Sequence, residues 1–258
     1  MAGRLLIASL ACMLVAGFAW WLTEPVTDLT RQAQALAGER WYVLTLDERH
    51  LGYLRTHNYT DGNGNWVFES EQRFAMNPYD AAATITRRVF SGSQPHALIS
   101  ASHLQTRRDR AEGVRIDAAK DGYLARRLPE DGSTASRLSW KYGLADYLDF
   151  ELWLAREQPT AGLARSVMTL NFDRLEPVRR TFDIVDLQAG RYTIENSAPF
   201  SATRIQLDHR FAPIAMTIAG LFNLTLASKE AALAPRSALQ VASYHIPTDR
   251  RLTNHTRI

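Results

Sequence analysis

The chain has 258 residues, of which 46% are hydrophobic and 22% are charged, and its formal net charge is +3. This composition is typical of a folded globular protein and argues against an intrinsically disordered chain. Basic residues are dispersed among acidic ones and form no compact stripe, so we expect no nucleic-acid partner. The single cysteine, Cys12, lies in an apolar leader, which excludes disulfides and cysteine-based catalysis or metal binding in the rest of the chain.

The leader, residues 1–23, contains an uncharged apolar run from Leu5 to Leu22 behind one basic residue, Arg4. A run of this length just suffices to cross a bilayer core about 30 Å thick, and its two terminal tryptophans suit a membrane interface. We predict an uncleaved anchor in the bacterial inner membrane, and the positive-inside rule then places the body in the periplasm. Two alternatives stay open: a cleaved signal peptide that releases the protein to the periplasm, and lipoprotein processing at Cys12.

A short linker separates the leader from the main domain. Residues 24–40 predict a linker helix, because their apolar positions recur at near-helical spacing. We assign residues 41–247 to an antiparallel β domain and residues 248–258 to a polar tail.

The start of the β domain predicts three antiparallel strands. Residues 41–47 and 51–59 form the first two, and the Asp-Gly-Asn-Gly sequence at 61–64 tolerates the positive φ angles of a tight hairpin. In residues 65–76 apolar and polar side chains alternate over at least ten positions. That period of two is typical of a long, half-buried strand.

The rest of the body mostly repeats strand, polar turn and strand, which gives about ten to twelve strands in all. Residues 213–226 alternate at first and then become uniformly apolar, which predicts one segment buried on both faces. Residues 144–156 instead have apolar positions at helical spacing, between Gly143 and Pro159. We therefore predict a mainly β fold, a large curved antiparallel sheet or half-barrel packed on this one helix, with an N-terminal transmembrane helix.

Several runs in the body are similar to a known bacterial domain: Trp41-Tyr42-Val43-Leu44, Leu51-Gly52-Tyr53, Glu69-Ser70-Glu71, Trp140, and Tyr147-Leu148 with Trp153-Leu154. In these runs the chain resembles the exported β domain that precedes the catalytic part of some bacterial transglutaminase-like proteins. Residues 244–252 are similar to the segment that leads into that catalytic part. More loosely, the layout resembles the lipoprotein-carrier half-barrels of the periplasm.

The resemblance implies a fold and an exported location, and no activity. Transglutaminase-like catalysis needs a cysteine nucleophile paired with histidine and aspartate. Here Cys12 lies in the leader, and the sequence has no catalytic part after residue 252. The chain is then either a stand-alone, non-catalytic relative or the front of a longer protein.

The body contains no motif for catalysis or metal binding. The sequence Asp61-x-Asn63-x-Asn65 resembles the opening of a calcium loop, but Trp66 and Gln72 stand where that loop needs glycine and glutamate. There is no Gly-x-Ser-x-Gly elbow, no ligand-spaced histidine pair and no phosphate-binding glycine loop. We therefore expect no cofactor, no metal and no enzymatic activity, although an enzyme without a recognisable motif stays open.

Two arginine pairs, Arg87-Arg88 and Arg179-Arg180, occur inside predicted strands. Neighbouring side chains of a strand face opposite sides, so one member of each pair should face the apolar side of the sheet. A buried arginine must be paired or must meet an anion. Two interpretations follow: pairing with acidic residues of neighbouring strands, or a site for an anionic head group or carboxylate inside the curved sheet.

These observations leave two functions open. The first is a non-catalytic periplasmic domain, tethered to the inner membrane through residues 5–22, that binds a protein or cell-envelope partner. The second is a periplasmic carrier that holds an apolar or amphiphilic, lipid-like ligand between sheet and helix. An open cavity of several hundred Å³ favours the carrier, and a core filled to native density favours the first function. The predicted ligand-lining residues are Trp66, Phe68, Phe74, Arg87, Trp153, Arg180 and Phe182.

Overall fold

The computed structural model describes residues 28–76, 81–107, 110–129, 134–196 and 202–234. Within these ranges no helix combines the length and the apolar character that a bilayer crossing requires. Three predicted segments lie outside the described residues: the anchor at residues 5–22, the segment at 244–252 and the polar tail at 248–258. Residues 24–27 of the predicted linker also lie outside them.

The described chain is mainly β. Its strands are β1 (Gly38–Leu46), β2 (Arg49–Thr60), β3 (Trp66–Ala75), β4 (Ala81–Phe90), β5 (Leu98–Arg107), β6 (Arg110–Ala119), β7 (Gly122–Leu128), β8 (Ser136–Leu138), β9 (Ala164–Asn171), β10 (Glu176–Gln188), β11 (Arg191–Asn196), β12 (Thr203–Leu207), β13 (Pro213–Ile218) and β14 (Phe222–Ala227). Its helices are α1 (Asp28–Ala35), α2 (Leu144–Tyr147), α3 (Asp149–Glu157) and α4 (Lys229–Ala232).

All fourteen strands belong to one antiparallel sheet, in the order β8-β7-β6-β5-β4-β3-β2-β1-β14-β13-β12-β11-β10-β9. Apart from β8 and β9, strands that are consecutive in sequence are neighbours in the sheet. β1 pairs with β14 and joins the two halves, with Trp41 opposite Ala227. The short strand β8 and the strand β9 are the two edges, so the sheet is not closed. The chain passes from one edge to the other through α2 and α3.

The predicted hairpin between the second and third strands is confirmed. β2 pairs with β3 from Gly52–Phe74 to Thr60–Trp66. The Asp61 carboxylate accepts hydrogen bonds from the backbone N–H groups of Asn63 and Asn65, each at 2.9 Å. The hydrogen bond from Asn65 contributes most to holding the pKa of Asp61 below its ordinary value. The Asp-Gly-Asn-Gly sequence therefore forms an Asx-type turn.

Two details of the predicted fold were wrong. Residues 213–226 form the hairpin β13–β14 and not one doubly buried strand, because Ala219 and Gly220 adopt positive φ angles of 52° and 68° and turn the chain. This turn and the three-residue strand β8 raise the strand count to fourteen. The predicted helix at 144–156 forms as two consecutive helices, α2 and α3, which meet at Leu148.

Hydrophobic residues gather in three clusters on the inner face of the sheet. The largest joins β3–β7 to α2 and includes Phe68, Phe90 and Leu144. A second joins α3 to β9–β12 through Trp153 and Ile184, and a third lies around β1, β2 and β14. The helices between the edges thus pack inside the curved sheet, and they position the side chains described next.

Candidate ligand-binding site

The pairing of β3, β4 and β5 places several polar side chains on the inner face of the sheet. Phe68 of β3 lies opposite Arg88 of β4, and Thr86 of β4 lies opposite His103 of β5. Because alternate residues of a strand share a face, Arg88 and Thr86 point to the same side as Phe90, which is fully buried. The apolar inner face therefore contains an arginine and a histidine.

The Arg88 guanidinium lies between two aromatic rings. Its central carbon is 5.3 Å from the ring centre of Tyr147 and 5.3 Å from that of Phe172. Tyr147 ends α2, and Phe172 follows β9 directly. The Nε atom of Arg88 is buried and has no hydrogen-bond acceptor among the described residues. Two distant elements thus enclose a charged group whose Nε donor is unsatisfied.

Arg87, the neighbouring residue, faces the opposite side of the sheet. Its Nε donates to a carboxylate oxygen of Glu69 at 2.9 Å. It borders two shallow grooves on the outer face, of about 140 and 120 Å³. Arg87 is therefore paired with an acidic residue of a neighbouring strand, whereas no ion pair of Arg88 occurs among the described residues.

His103 is held by hydrogen bonds on both ring nitrogens. The amide nitrogen of Gln105 lies 3.0 Å from Nε2, and the Thr86 hydroxyl lies 2.9 Å from Nδ1. Since the Gln105 nitrogen can only donate, Nε2 accepts and Nδ1 donates to Thr86. The ring stacks on Phe172 with centres 5.1 Å apart. Burial lowers the pKa of His103; the nearby Asp173 opposes this effect and Arg88 adds to it, and the result favours the neutral ring.

The helix cavity, as we name it, lies between the sheet and α2–α3 and has a volume of about 220 Å³. Its walls are mostly apolar and come from β1–β4, β13 and both helices. Apolar lining residues are Leu36, Tyr42, Leu54, Phe68, Leu148, Ala212, Pro213 and Met216. Its charged lining residues are Arg40, Glu69, Arg88 and Glu151.

A second space, the hairpin cavity, has a volume of about 460 Å³ and lies between β5–β7 and the turn that follows β9. Its lining is mixed, with the polar groups of His103, Gln105, Glu112, Arg127 and Asp173 beside the apolar side chains of Val114, Leu128, Pro129, Phe172 and Leu175. Arg88 lines the helix cavity and its aromatic partner Phe172 lines the hairpin cavity. The two cavities therefore lie on either side of the Arg88–Phe172 contact.

Burial changes the acidity of two groups that line the helix cavity together with Arg88. It raises the pKa of Glu151 on α3 to about 7, and the nearby Asp149 carboxylate raises it further. Burial also raises the pKa of Tyr147, an effect that Arg88 partly offsets. The helix cavity thus contains a permanently charged guanidinium and a carboxyl group that is partly protonated at neutral pH.

The seven predicted lining residues are not brought together. Trp66 and Phe68 belong to the largest hydrophobic cluster, Trp153 and Phe182 to the second, and Phe74 to the third. Trp153 also donates its indole N–H to Glu157 at 2.9 Å. Arg87 faces outward, and Arg180 is exposed on β10. Of the seven, Phe68 lines the helix cavity.

Sequence reasoning singled out the Arg87-Arg88 pair but chose Arg87 as the site residue, and it missed His103, Tyr147, Glu151 and Phe172. Strand parity alone could not distinguish the two arginines, since Arg88 shares parity with the apolar Phe90 and Arg87 shares parity with the apolar Ile85 and Val89. Ile85 is 38% exposed, and Phe90 is fully buried. No local pattern reveals Phe172, because it reaches Arg88 only through the curvature of the whole sheet.

A protein metal site needs several ligand side chains close together. No group of three or more His, Cys, Asp or Glu residues is arranged to hold a metal ion within the ranges that the structure covers.

The sequence matches no protein-family model, and a comparison with curated proteins gives no significant match. Its fold is similar to the crystal structure of a β-barrel-like protein, a domain of unknown function (DUF1849) from Brucella abortus. The TM-score is 0.54 at 9% sequence identity, over 74% of this chain and 95% of that chain. A DUF1089 family protein from Pseudomonas aeruginosa aligns with a TM-score of 0.35 at 13% identity, over 62% and 87%. The first likeness supports a β-barrel-like fold, and the comparisons show no link to transglutaminase-like proteins.

Proposed function

We propose that this protein is a non-catalytic carrier that binds a small amphiphilic ligand inside its curved sheet. The observation that supports this proposal is the helix cavity, an unfilled space between sheet and helix with apolar walls and a few charged groups. Protein cores normally pack to the density of organic crystals, with few voids larger than a water molecule. Apolar walls with a few charged groups are the lining typical of a ligand site.

The volumes indicate the size of the ligand. An engineered apolar cavity of about 150 Å³ accepts benzene, so the helix cavity, at about 220 Å³, suits a ligand of roughly nine or ten heavy atoms. The neighbouring hairpin cavity, at about 460 Å³, lies within the usual range of ligand pockets, about 300–1,000 Å³, and offers room for a longer chain. Together they favour the carrier over a domain that only presents its surface to a partner.

We further propose that the carrier works in the periplasm, held at the bacterial inner membrane by residues 5–22. The uncharged apolar run behind Arg4 supports this location. An amphiphilic ligand is consistent with a site beside a membrane, where such molecules are concentrated.

Analysis of the purified protein for a bound ligand tests the carrier function. The full chain is purified from its native membrane or periplasmic fraction in mild conditions, extracted with organic solvent and analysed by mass spectrometry. We expect an amphiphile in near-stoichiometric amount. A clean extract from folded, native-source protein contradicts the proposal.

A pair of variants on β2 tests whether the ligand occupies the helix cavity. Thr56 lines this cavity, and the next residue, His57, lines the outer groove of about 140 Å³. Thr56→Trp fills the cavity and should abolish ligand recovery, whereas His57→Trp adds the same side chain on the opposite face and should leave recovery unchanged. Equal recovery from both variants contradicts a site between sheet and helix.

A further inference from the structure

Arg88 is partly buried and lacks the anionic partner that an arginine inside a sheet normally has. Arginine stays protonated in proteins, and the Nε of Arg88 is buried without an acceptor. In the part of the chain that the structure describes, no ion pair joins Arg88 to an aspartate or glutamate. A buried charge without a partner is unfavourable. An anion that reaches this guanidinium therefore meets a charge that no carboxylate of the described residues neutralises.

The aromatic neighbours of Arg88 explain its position and do not satisfy its donors. Tyr147 and Phe172 each lie 5.3 Å from the guanidinium carbon. A cation–π contact stabilises the charge through the face of a ring, but it supplies no acceptor oxygen. The planar fork of N–H donors of arginine matches the oxygens of a carboxylate or phosphate. Arg88 is thus a preformed donor for an oxygen anion.

The other charged groups around the helix cavity also favour an anion. Arg40 contributes a second guanidinium, which donates to the carbonyl oxygen of Leu36 at 2.9 Å. Glu69 borders the cavity but is paired with Arg87 on the other face. Glu151 is largely uncharged below neutral pH, because burial raises its pKa to about 7. The charge inside the cavity is therefore positive.

We propose that Arg88 binds the head group of the ligand, so that the helix cavity takes a small amphiphilic anion, a carboxylate or phosphate monoester on an apolar chain. This inference rests on the proposed function and names the class of ligand for the same cavity. The chain would pack against Leu54, Phe68, Leu148 and Met216, which line the cavity. An eight-carbon chain matches the size derived above.

Titration calorimetry with four ligands of equal chain length tests the head-group preference on the delipidated wild-type protein. The ligands are octanoate, octyl phosphate, 1-octanol and octyltrimethylammonium. We expect octanoate or octyl phosphate to bind about 10- to 100-fold more tightly than 1-octanol, because a charge-assisted hydrogen bond adds to burial of the chain. The tighter of the two anions identifies the head group as carboxylate or phosphate, and the cation should bind most weakly.

Matched variants of the arginine pair test the role of Arg88. Arg88→Met keeps an unbranched side chain and should lose the preference for the anion over 1-octanol. Arg87→Met makes the same change on the outer face and should keep it. Arg88→Lys keeps the charge without the planar fork and should retain part of the preference.

The outcomes separate this inference from the general function. Equal affinities for octanoate, octyl phosphate and 1-octanol overturn the role of Arg88 and leave the carrier function intact. Tighter binding of the cation, or an equal loss in Arg87→Met and Arg88→Met, also overturns it. If none of the four ligands binds, both the inference and the carrier function fail.

Discussion

The guanidinium carbon of Arg88 lies 5.3 Å from the ring centre of Phe172, although the two residues belong to distant parts of the sheet. Arg88 is on β4, the fifth strand in the sheet order, and Phe172 directly follows β9, the fourteenth. The sheet therefore curves until its last strand returns to its own inner face. Trp140 lies between β8 and α2, and its indole N–H donates to the carbonyl oxygen of Leu175 at 2.8 Å. This hydrogen bond connects the turn between β9 and β10 to the segment that follows β8.

Phe172→Leu should loosen this closure. The substitution removes the ring that stacks on His103 at 5.1 Å and contacts Arg88. We expect the free energy of unfolding to fall by about 1–2 kcal/mol, from lost aromatic and cation–π contacts. The pKa of His103 should rise toward its ordinary value, because burial is the main cause that lowers it.

Urea unfolding and an NMR titration of the His103 ring check these two effects. Phe222→Leu is the matched control, since Phe222 packs against the third hydrophobic cluster, around β1, β2 and β14. It should change stability without moving the His103 titration. An unchanged His103 pKa in Phe172→Leu would show that the Phe172 ring does not shield this histidine.

Glu151 should make the protein less stable as the pH rises. Its folded-state pKa is about 7, against an ordinary value of 4.5. Between these values the unfolded chain has released its proton and the folded chain has kept it, so the free energy of unfolding falls as pH increases from about 4.5 to 7. The total loss is up to about 3 kcal/mol.

Urea midpoints measured at pH 5 and pH 7.5 test this dependence. Glu151→Gln cannot ionise and should lose most of the difference between the two pH values. Glu176→Gln, at an exposed position that begins β10, should keep it. A pH dependence that is the same in wild type and Glu151→Gln would mean that Glu151 ionises as readily in the folded chain as in the unfolded one.

Gly52 marks a close approach of two strands. A Cβ atom at this position would overlap the backbone carbonyl oxygen of Arg73 on β3. Gly52→Ala should therefore separate β2 from β3 and lower the free energy of unfolding by about 3 kcal/mol. Gly62→Ala provides the control, because a Cβ atom there meets no atom within 4 Å. Thermal unfolding of both variants tests this prediction. Equal stability of Gly52→Ala and Gly62→Ala would contradict the close approach of β2 and β3 at Gly52.

The leader gives a prediction about location. Alkaline phosphatase fused after residue 40 should be active, because its disulfides form outside the cytoplasm. Activity should remain with the membrane after alkaline washing if residues 5–22 are an uncleaved anchor, and should be soluble if they are a cleaved signal peptide. Cys12→Ser distinguishes lipoprotein processing, since only that route depends on the thiol. An inactive fusion contradicts the periplasmic location.

The sequence predicted the parts of the fold that depend on local pattern. Alternation over residues 65–76 and the turn at 61–64 identified β3 and its hairpin with β2. The turn at Ala219 and Gly220 was missed because its apolar neighbours resemble a continuous buried strand. The candidate site could not be predicted from local sequence patterns. Choosing Arg88 over Arg87 required the burial of Phe90, and placing Phe172 beside Arg88 required the curvature of fourteen strands.

The most direct measurement is a set of isotope-edited NOEs between bound octanoate and the methyl groups of the protein. If the ligand occupies the helix cavity, its methylene protons give NOEs to the methyl groups of Leu54, Leu148 and Met216, which line that space. NOEs confined to outer-face methyl groups such as those of Ile85, in a sample where octanoate is bound, would contradict a ligand site inside the curved sheet.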